Sequence, residues 1–254
     1  MDKKYYYSEV FYSIQGEGHY TGVPTAWIRF FLCNLQCGGF GQDDPTNPDT
    51  YDLPFENFDV SSVKRVEDLP VWEKGCDSSY TWAKKFKGLM GQETPSTLAN
   101  KLVDCMKNES NPEGKFIHPV SKQHQHLCFT GGEPLMITGQ QAVVGIYNTL
   151  KEQDNLPGSM TFETNGTQIL RQPFIDWVNE IDTEIFFSCS PKLFTVSGEK
   201  TAKAIKPEIV TEYNKLSKAG QLKFVVGPKQ REWDEMEEAV EKFRSAGVTW
   251  PVWI

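Results

Sequence analysis

Hydrophobic residues along this chain fall into short continuous runs separated by longer amphipathic stretches. Residues 24–32 and 126–130 are almost continuously apolar, which is typical of strands buried on both faces. Between residues 94 and 109 the apolar positions instead recur every three or four residues, which predicts a helix. The predicted strands are 5–13, 24–32, 126–130, 160–164, 184–190, 222–226 and 248–254, and the predicted helices are 94–109, 138–153, 173–181, part of 201–219, and 233–246.

The order of these elements predicts the fold class. Single strands separated by helices indicate βαβ crossovers and therefore a parallel sheet. We predict an α/β fold, a partial (β/α)6 TIM-like barrel formed by a single domain over residues 1–254, with 5–13 as an N-terminal edge strand. Glycine-rich and polar motifs follow the strands directly, at the sheet edge where α/β folds place their sites.

Residues 38–75 interrupt the alternation and are predicted to be a loop-like insert. They contain nine acidic and three basic residues, so the insert carries most of the net negative charge of the chain. Four prolines and four glycines favour irregular structure, with one short strand at 59–64. The insert is either a solvated surface excursion, as acidic proline-rich loops usually are, or a lid or partner-binding surface.

Composition excludes some function classes. The 254 residues include 26 basic and 34 acidic side chains, for a net charge of −8, which argues against a polyanion-binding surface and direct nucleic-acid binding. The first residues lack an apolar signal core, and no apolar run approaches the length of a membrane span. Six irregularly spaced cysteines indicate reduced thiols, so we expect a cytoplasmic protein.

Cys33, Cys37 and Cys76 flank the insert and are candidate metal ligands. Three thiolates can bind three irons of a four-iron cluster and leave the fourth iron open to a small molecule. A Cys-x3-Cys pair could also belong to a zinc site, although zinc sites usually contain Cys-x2-Cys pairs and a fourth ligand. Free cysteines that pack as small hydrophobic residues fit the spacing as well. The spacing alone leaves these three alternatives open.

Three further features carry polar chemistry. Arg29 is the one charged residue of a buried strand, so it needs either an ion-pair partner such as Glu17 or a ligand carboxylate. Ile14-Gln-Gly-Glu-Gly18 is a turn with two polar side chains. In Thr130-Gly-Gly-Glu-Pro134 the glycines allow a close approach to a ligand, and Glu133 suits a ligand ammonium or a helix start.

Taken together, the motifs resemble the 7-carboxy-7-deazaguanine synthases of the radical S-adenosylmethionine superfamily. The resemblance covers the chain except residues 38–75. The Gly-Gly-Glu-Pro sequence indicates only the superfamily, whereas the Gln-Gly-Glu-Gly turn with the Arg29 strand and the Cys-Asp-Ser sequence is specific. The motifs, in chain order, are Phe11 to Gly18, Trp27-Ile-Arg29, Cys33-Asn-Leu-Gln-Cys37, Cys76-Asp-Ser78, Phe129 to Pro134, Glu163-Thr-Asn-Gly166 and Ser190-Pro-Lys192.

The resemblance implies a specific reaction. A 4Fe–4S cluster cleaves S-adenosylmethionine reductively to methionine and a 5′-deoxyadenosyl radical. The radical takes a hydrogen from 6-carboxy-5,6,7,8-tetrahydropterin, which contracts to 7-carboxy-7-deazaguanine with loss of ammonia, and S-adenosylmethionine is regenerated. The family also uses Mg²⁺, and the resemblance implies a homodimer and an electron donor such as flavodoxin.

The resemblance also assigns roles to residues. It implies that Cys33, Cys37 and Cys76 bind the cluster and that Ser78, which replaces a threonine of the family, binds Mg²⁺. Residues expected to hold S-adenosylmethionine are Gly131, Gly132, Glu133, Ser190, Pro191 and Lys192. Those expected to hold the pterin are Ile14, Gln15, Gly16, Glu17, Arg29 and Thr130.

The sequence departs from the family pattern in three ways. The third cysteine normally follows the second closely, and forms with a long insert resemble those of bacteriophages, whose product would serve DNA modification as well as tRNA queuosine in the host cytoplasm. Gly75 stands where an aromatic residue usually precedes the third cysteine, and Trp72 or Trp82 could substitute. The chain stops inside its last strand, so we expect a truncated sequence.

Other cysteines and histidines are expected to be structural. Cys105 and Cys128 are predicted core thiols, and Cys189 is expected beside the site but resembles no ligand. His124-Gln-His126 is predicted to be a solvated strand entry. Two other functions compete with the synthase. Another radical S-adenosylmethionine enzyme, such as a glycyl-radical activase, would not need Arg29, and a non-catalytic binding protein on the same fold would not need the cysteine triplet.

Overall fold

The computed structural model of this protein describes residues 3–254, and its strands and helices alternate as the sequence predicts. The strands are β1 (Tyr5–Ile14), β2 (Pro24–Phe30), β3 (Gly91–Glu93), β4 (His126–Gly131), β5 (Ser159–Thr164), β6 (Glu184–Cys189), β7 (Gly220–Lys223) and β8 (Val252–Trp253). The helices are α1 (Pro54–Asn57), α2 (Pro95–Cys105), α3 (Ile137–Glu152), α4 (Gln172–Glu180), α5 (Phe194–Ser197), α6 (Thr201–Ala204), α7 (Pro207–Leu216) and α8 (Gln230–Ser245).

All eight strands form one sheet in the order β3-β1-β2-β4-β5-β6-β7-β8. Six of the strands are parallel and lie next to one another in chain order, namely β2, β4, β5, β6, β7 and β8. A helix precedes each of them after β2, which is the arrangement of successive βα units. The predicted α/β fold of the partial (β/α)6 type is therefore confirmed.

The prediction that residues 5–13 form an edge strand is wrong in its position. β1 pairs antiparallel with β2 on one side and with β3 on the other, so β3 is the edge. Gly91 lies opposite Tyr7, and a Cβ at Gly91 would come within 2.3 Å of the Tyr7 ring. A short strand beginning with glycine can therefore pair where the aromatic side chains of β1 leave no room for a larger residue.

The core lies between the sheet and its helices and keeps the strand ends in register. Phe129, Phe162 and Phe187, from three neighbouring strands, stack with ring centroids 5.3 and 5.6 Å apart. Each ring is fully buried, which contributes about 2 kcal/mol per side chain. The loops that follow these strands are thus held on a rigid edge.

The insert packs around a small hydrophobic cluster that it shares with the segment following Cys76. Buried Phe55 and Trp72 pack there with Ala83 and Phe86, apart from the main core. The short strand predicted at 59–64 is wrong, because Val60–Ser62 forms a 3₁₀ turn in which the Asp59 side chain accepts the N–H of Ser61 at 2.9 Å. The other regular pieces of the insert are α1 and 3₁₀ turns at 48–50 and 66–68.

The prediction that His126 belongs to a solvated strand entry is wrong. This residue is 1% exposed rather than solvated, and its Nδ1 and Nε2 lie 2.6 Å from the hydroxyl oxygens of Ser159 and Thr161. The reason is that Tyr20, in the turn after β1, packs on the imidazole with ring centroids 4.3 Å apart. Cys128 is fully buried and Cys105 packs against the core, which confirms both as core thiols. Cys189 is fully buried as well.

Among residues 3–254, no helix is both long enough and apolar enough to cross a membrane.

Candidate active site

The loops at the carboxyl ends of the parallel strands surround a cavity of about 460 Å³. β2, β4, β5 and β6 contribute their last residues or the loops that follow them, and the turn after β1 closes one side. Most of the residues predicted for substrate and cofactor therefore meet in one place. Those that line the cavity are Ile14, Gln15, Gly16, Glu17, Arg29, Ser78, Thr130, Gly131, Gly132, Ser190 and Lys192.

Cys33, Cys37 and Cys76 line a second cavity of about 140 Å³. The two cavities share wall residues and are therefore adjacent; these are Asp77, Ser78, Gly131, Gly132, Asn165 and Lys192. The insert brings Cys76 back because the N–H of Gly75 donates to the carbonyl of Phe40 at 2.7 Å. A separation of 38 residues in sequence thus becomes a single cluster of thiols in space.

The chemistry of the second cavity fits an iron–sulfur cluster. Burial raises the pKa of the Cys33 thiol to about 12 and raises the pKa of Cys37 and Cys76 as well. Buried thiols become thiolates when a metal binds, because the cation compensates for lost solvation. The indole Nε1 of Trp82, another wall residue, is buried beside the Cys76 thiol, whose pKa it lowers in part against the effect of burial. It can donate to the sulfur of that residue in a cluster.

A single metal ion would need a different arrangement. Within residues 3–254, no three His, Cys, Asp or Glu side chains are placed to hold one ion together. In a four-iron cluster each thiolate binds a separate iron, so the sulfurs surround a volume rather than a point.

Arg29 lies on the wall of the larger cavity and has a partner that the sequence did not indicate. Its Nε donates to Glu9 at 2.7 Å, and the Tyr80 hydroxyl donates to the same carboxylate at 3.1 Å. Glu9 faces Arg29 directly across the antiparallel β1–β2 pair. Burial lowers the pKa of Arg29, but Tyr80 and Glu9 outweigh that effect, so the guanidinium stays charged.

The alternative that Arg29 pairs with Glu17 is wrong. Glu17 instead forms an ion pair with Lys223 on β7, across the mouth of the cavity. The two terminal nitrogens of Arg29 have no hydrogen-bond partner among the described residues. They are therefore free to bind a planar anion.

Glu163 organises the floor between the turn after β1 and the end of β4. Its two carboxylate oxygens accept from Gln15 Nε2 at 3.2 Å and from the Thr130 hydroxyl at 2.9 Å. Gln15 also accepts the N–H of Glu17 at 3.2 Å, so it is buried and fixed. The Glu163 carboxylate is thus the common support of two residues predicted to hold substrate.

Gly131 and Gly132 allow the end of β4 to lie against the loop that carries Cys33. Gly131 has φ +134°, and a Cβ there would lie 2.3 Å from the Phe30 carbonyl oxygen. A Cβ at Gly132 would lie 2.2 Å from the Leu32 carbonyl oxygen. Only glycine fits such an approach of two backbones.

Glu133 does not line either of these two cavities, and its contact with a ligand ammonium stays a prediction. It is 1% exposed and accepts from the N–H of Leu135, the Thr164 hydroxyl and the N–H of Asn165 at 2.7–2.9 Å. Burial raises its pKa to about 7 despite these bonds. The carboxylate holds the β5 loop to the β4 loop from behind the cavity wall.

The last predicted cofactor residues follow β6. Lys192 Nζ donates to the Ser190 hydroxyl at 2.8 Å and lies 5.8 Å from the centroid of the Phe40 ring. Both side chains line the larger cavity, whereas Pro191 does not. Lys192 also lines the smaller cavity, so it connects the two.

The structure separates the two tryptophans proposed to replace an aromatic residue at Gly75. Trp82 lines the cysteine cavity, whereas Trp72 lies in the core of the insert. Gly75 itself has φ +79°, and a Cβ there would lie 2.9 Å from Leu53. A larger residue at position 75 would have a strained backbone and would have to displace the Leu53 side chain, and Trp82 is the aromatic neighbour of Cys76 in the cavity wall.

Sequence reasoning missed several residues that the structure places at the site. Asp77 lies beside Ser78 and accepts its hydroxyl at 2.9 Å. Asn165 bridges the loops through a bond to Asn34 at 3.0 Å. Both belong to motifs already singled out, so their position in those motifs was the available signal. Lys223 and Glu9 carried no such signal, since only strand pairing brings them to the site.

Comparison with known proteins identifies relatives at low identity. No protein-family model matches the chain. The 7-carboxy-7-deazaguanine synthase of Buchnera aphidicola subsp. Schizaphis graminum is 24% identical over 183 residues, which are 67% of this chain and 58% of the relative. The 7-carboxy-7-deazaguanine synthase of Thermoplasma acidophilum is 27% identical over 164 residues, 65% of this chain and 48% of the relative.

The chain thus spans about half the length of these curated relatives. A crystal structure of QueE from Escherichia coli is 17% identical, with a TM-score of 0.40, and the match covers 98% of this chain and 92% of that one. The sequence relatives confirm the resemblance that the motifs indicated.

Proposed function

We propose that this chain is a 7-carboxy-7-deazaguanine synthase, a radical S-adenosylmethionine lyase that contracts 6-carboxy-5,6,7,8-tetrahydropterin to 7-carboxy-7-deazaguanine with release of ammonia. The observation that carries the proposal is the pair of adjoining cavities. Three cysteines line the smaller cavity. The larger cavity is lined by the polar motifs through which the sequence resembles the synthases. The product would enter 7-deazapurine biosynthesis, for queuosine or for modified DNA.

Cys33, Cys37 and Cys76 would hold the 4Fe–4S cluster. S-adenosylmethionine would bind between cluster and substrate, which the wall residues common to the two cavities support. When bound, the cluster would supply the electron that cleaves S-adenosylmethionine and starts hydrogen abstraction from the pterin. The exposed backbone of Gly131 and Gly132 and the Ser190–Lys192 side-chain pair would hold the cofactor. Glu133 and Pro191 would contribute by fixing these loops rather than by side-chain contact.

Arg29 would bind the pterin carboxylate. Its Nε is bound to Glu9, which orients the guanidinium and leaves the two terminal nitrogens for a bidentate contact. Gln15, Thr130 and the Ile14–Glu17 turn surround the same space and would bind the polar edge of the pterin. The stacked rings of Phe11 and Trp27, with centroids 5.6 Å apart, form an apolar wall that limits access of water.

Mg²⁺ would bind at Ser78, where Asp77 supplies a second hard oxygen donor on the shared wall. Magnesium sites commonly use one or two protein oxygens together with substrate and water. We further propose a cytoplasmic homodimer reduced by a flavodoxin-like donor. The six free cysteines support a reducing compartment.

Arg29→Ala tests the substrate assignment. The variant should lose pterin turnover while still cleaving S-adenosylmethionine when reduced, because Arg29 lines only the substrate cavity. Loss of one charge-assisted bidentate contact should reduce kcat/KM for the pterin at least tenfold. Anaerobic assays with product detection by mass spectrometry measure both reactions.

Arg65→Ala is the matched control, because Arg65 lies in the insert with its side chain 65% exposed and pairs only with Glu67 and Asp68. It should leave both reactions unchanged. Unchanged pterin turnover in Arg29→Ala would remove the assignment and favour another radical S-adenosylmethionine reaction.

A further inference from the structure

Glu199 lies directly behind the loop that carries two of the cysteines, here called the cluster loop (residues 33–40). Its side chain is 9% exposed, and Oε1 accepts the backbone N–H groups of Gln36 at 2.6 Å and Cys37 at 2.9 Å. The other oxygen accepts from Lys203 Nζ at 3.0 Å. No motif of the sequence singles out this residue, and it is not a wall residue of either active-site cavity.

The backbone around Glu199 adds a third contact. The carbonyl of Ser197 accepts the N–H of Gly39 at 2.9 Å, and a Cβ at Gly39 would lie 2.6 Å from the backbone nitrogen of Gly198. Residues 197–199 therefore receive three N–H groups of the cluster loop. This segment acts as a clamp on both sides of Cys37.

The clamp explains an unusual backbone conformation. Cys37 has φ +52°, in the left-handed region that non-glycine residues rarely adopt. Such a conformation persists only where surrounding contacts hold it. The bond from the Cys37 N–H to Glu199 is such a contact, and it fixes the direction in which the Cys37 thiol leaves the backbone.

The same bonds have an electrostatic consequence. Hydrogen bonds to cluster sulfurs and net charge nearby both set the potential of an iron–sulfur cluster. Here two backbone N–H groups donate to a carboxylate instead of to sulfur, and they bring a negative charge next to a cluster ligand. Lys203 offsets that charge only in part, because its side chain is half exposed and screened by water.

We propose that Glu199 is a positioning residue for the cluster loop and that its carboxylate keeps the bound cluster at a low reduction potential. The inference rests on the proposed function, since it requires a 4Fe–4S cluster at Cys33, Cys37 and Cys76. A negative charge beside the cluster favours its oxidised form, so reduction needs a stronger donor and the reduced cluster is a stronger reductant.

Two substitutions separate charge from position. Glu199→Gln keeps an oxygen that can accept both backbone N–H groups but removes the charge. Glu199→Ala removes the acceptor and frees the loop. Each protein is reconstituted anaerobically with iron and sulfide, and the cluster is titrated with reductant and followed by electron paramagnetic resonance.

Glu199→Gln should retain its iron and raise the reduction potential, so that the ratio of reduced to oxidised cluster at a fixed potential rises at least tenfold, or about 59 mV for one electron. Lys203→Met should shift the potential in the opposite direction, because the carboxylate then lacks its counter-ion. Glu199→Ala should bind less iron and show faster amide exchange in residues 33–40.

Glu152→Gln is the matched control. Glu152 is exposed at the end of α3, next to the start of β5, whereas the cluster loop lies where the strands end. The Glu152→Gln substitution likewise removes one negative charge, and it should leave the reduction potential of the cluster unchanged.

The outcomes also separate the inference from the proposed function. A wild-type protein that binds no four-iron cluster would overturn the proposed function and this inference with it. A wild-type cluster whose potential is the same in Glu199→Gln would overturn the electrostatic role alone. Full iron content and unchanged amide exchange in Glu199→Ala would overturn the positioning role.

Discussion

Replacing Trp72 by alanine should unfold the insert locally and leave the parallel sheet folded. Trp72 is 7% exposed, and its ring centroid lies 5.3 Å from that of Phe58, 6.3 Å from Phe86 and 6.5 Å from Phe55. These rings belong to the cluster within and beside the insert, which is separate from the main core. The substitution should therefore destabilise this cluster and the insert that packs around it, and not the main core.

The magnitude follows from burial alone. Truncating a buried tryptophan to alanine costs about 3–5 kcal/mol. The indole Nε1 of Trp72 has no hydrogen-bond partner among residues 3–254, so no hydrogen bond is lost in addition. Since about 1.4 kcal/mol corresponds to a factor of ten, the opened form of the insert should become roughly two to three and a half orders of magnitude more populated.

Hydrogen exchange with mass spectrometry measures this effect peptide by peptide. Peptides from residues 50–90 should exchange faster by that factor, while peptides from β4 and β5 keep their protection. Trp177→Ala is the matched control, because Trp177 is also 7% exposed with an unpartnered Nε1 but packs in the main core. The Trp177→Ala variant should lower the global free energy of unfolding. Amide exchange in the insert should then increase no more than it does in the rest of the chain.

Two results would refute the reasoning. If Trp72→Ala lowered the urea midpoint of the whole chain as much as Trp177→Ala, the insert would be part of the global cooperative unit. If exchange in residues 50–90 stayed at the wild-type rate, the cluster around Trp72 would contribute nothing to holding the insert.

Two further predictions concern a buried histidine and the third cysteine. Burial lowers the pKa of His126 from 6.5 to about 4, so the unfolded chain takes up a proton first as the pH falls, and the folded state should lose about 3 kcal/mol between pH 6.5 and 4. Urea unfolding at pH 7 and pH 4.5 measures the loss, which His126→Gln should lack; an equal loss in that variant would assign it to other groups. Cys76→Ala should reduce iron from about four per chain to a small fraction on anaerobic reconstitution, whereas Cys105→Ala, a partly buried thiol outside both cavities, should keep its cluster; full iron in Cys76→Ala would show that the insert does not return a ligand.

Local patterns were sufficient for the class of fold and for the neighbourhood of the site. Periodicity marked the main strands and helices, because burial on one or both faces imposes spacing of two or between three and four residues. Parallel strands align their carboxyl ends, so motifs placed just after strands had to meet at one edge. That rule brought Arg29, Thr130 and Ser190 to one cavity without any knowledge of their contacts. Gln15 is outside the rule, because it follows the antiparallel strand β1 beside the start of β2 and reaches the cavity through the turn.

The insert was the least predictable part. Its composition indicated a loop, and it does lack strands within the described residues. Its few aromatic residues are too far apart in sequence to show a periodic pattern. Their packing around Trp72 also involves Ala83 and Phe86, which lie outside the insert. The resemblance implied that Cys76 joins Cys33 and Cys37, and the folded chain shows how: the N–H of Gly75 donates to the Phe40 carbonyl, and the three cysteines line one cavity.

The sequence by itself determined which residue types stand at the sheet edge. The spacing of hydrophobic residues and the order of the strands along the chain can both be read locally in the sequence. Tertiary structure alone decided how those side chains are used. Strand register gave Arg29 its partner Glu9, and close packing behind the β4 loop turned Glu133 away from the cavity. Glu199 meets the cluster loop across more than 160 residues of chain, a contact that no local pattern could encode.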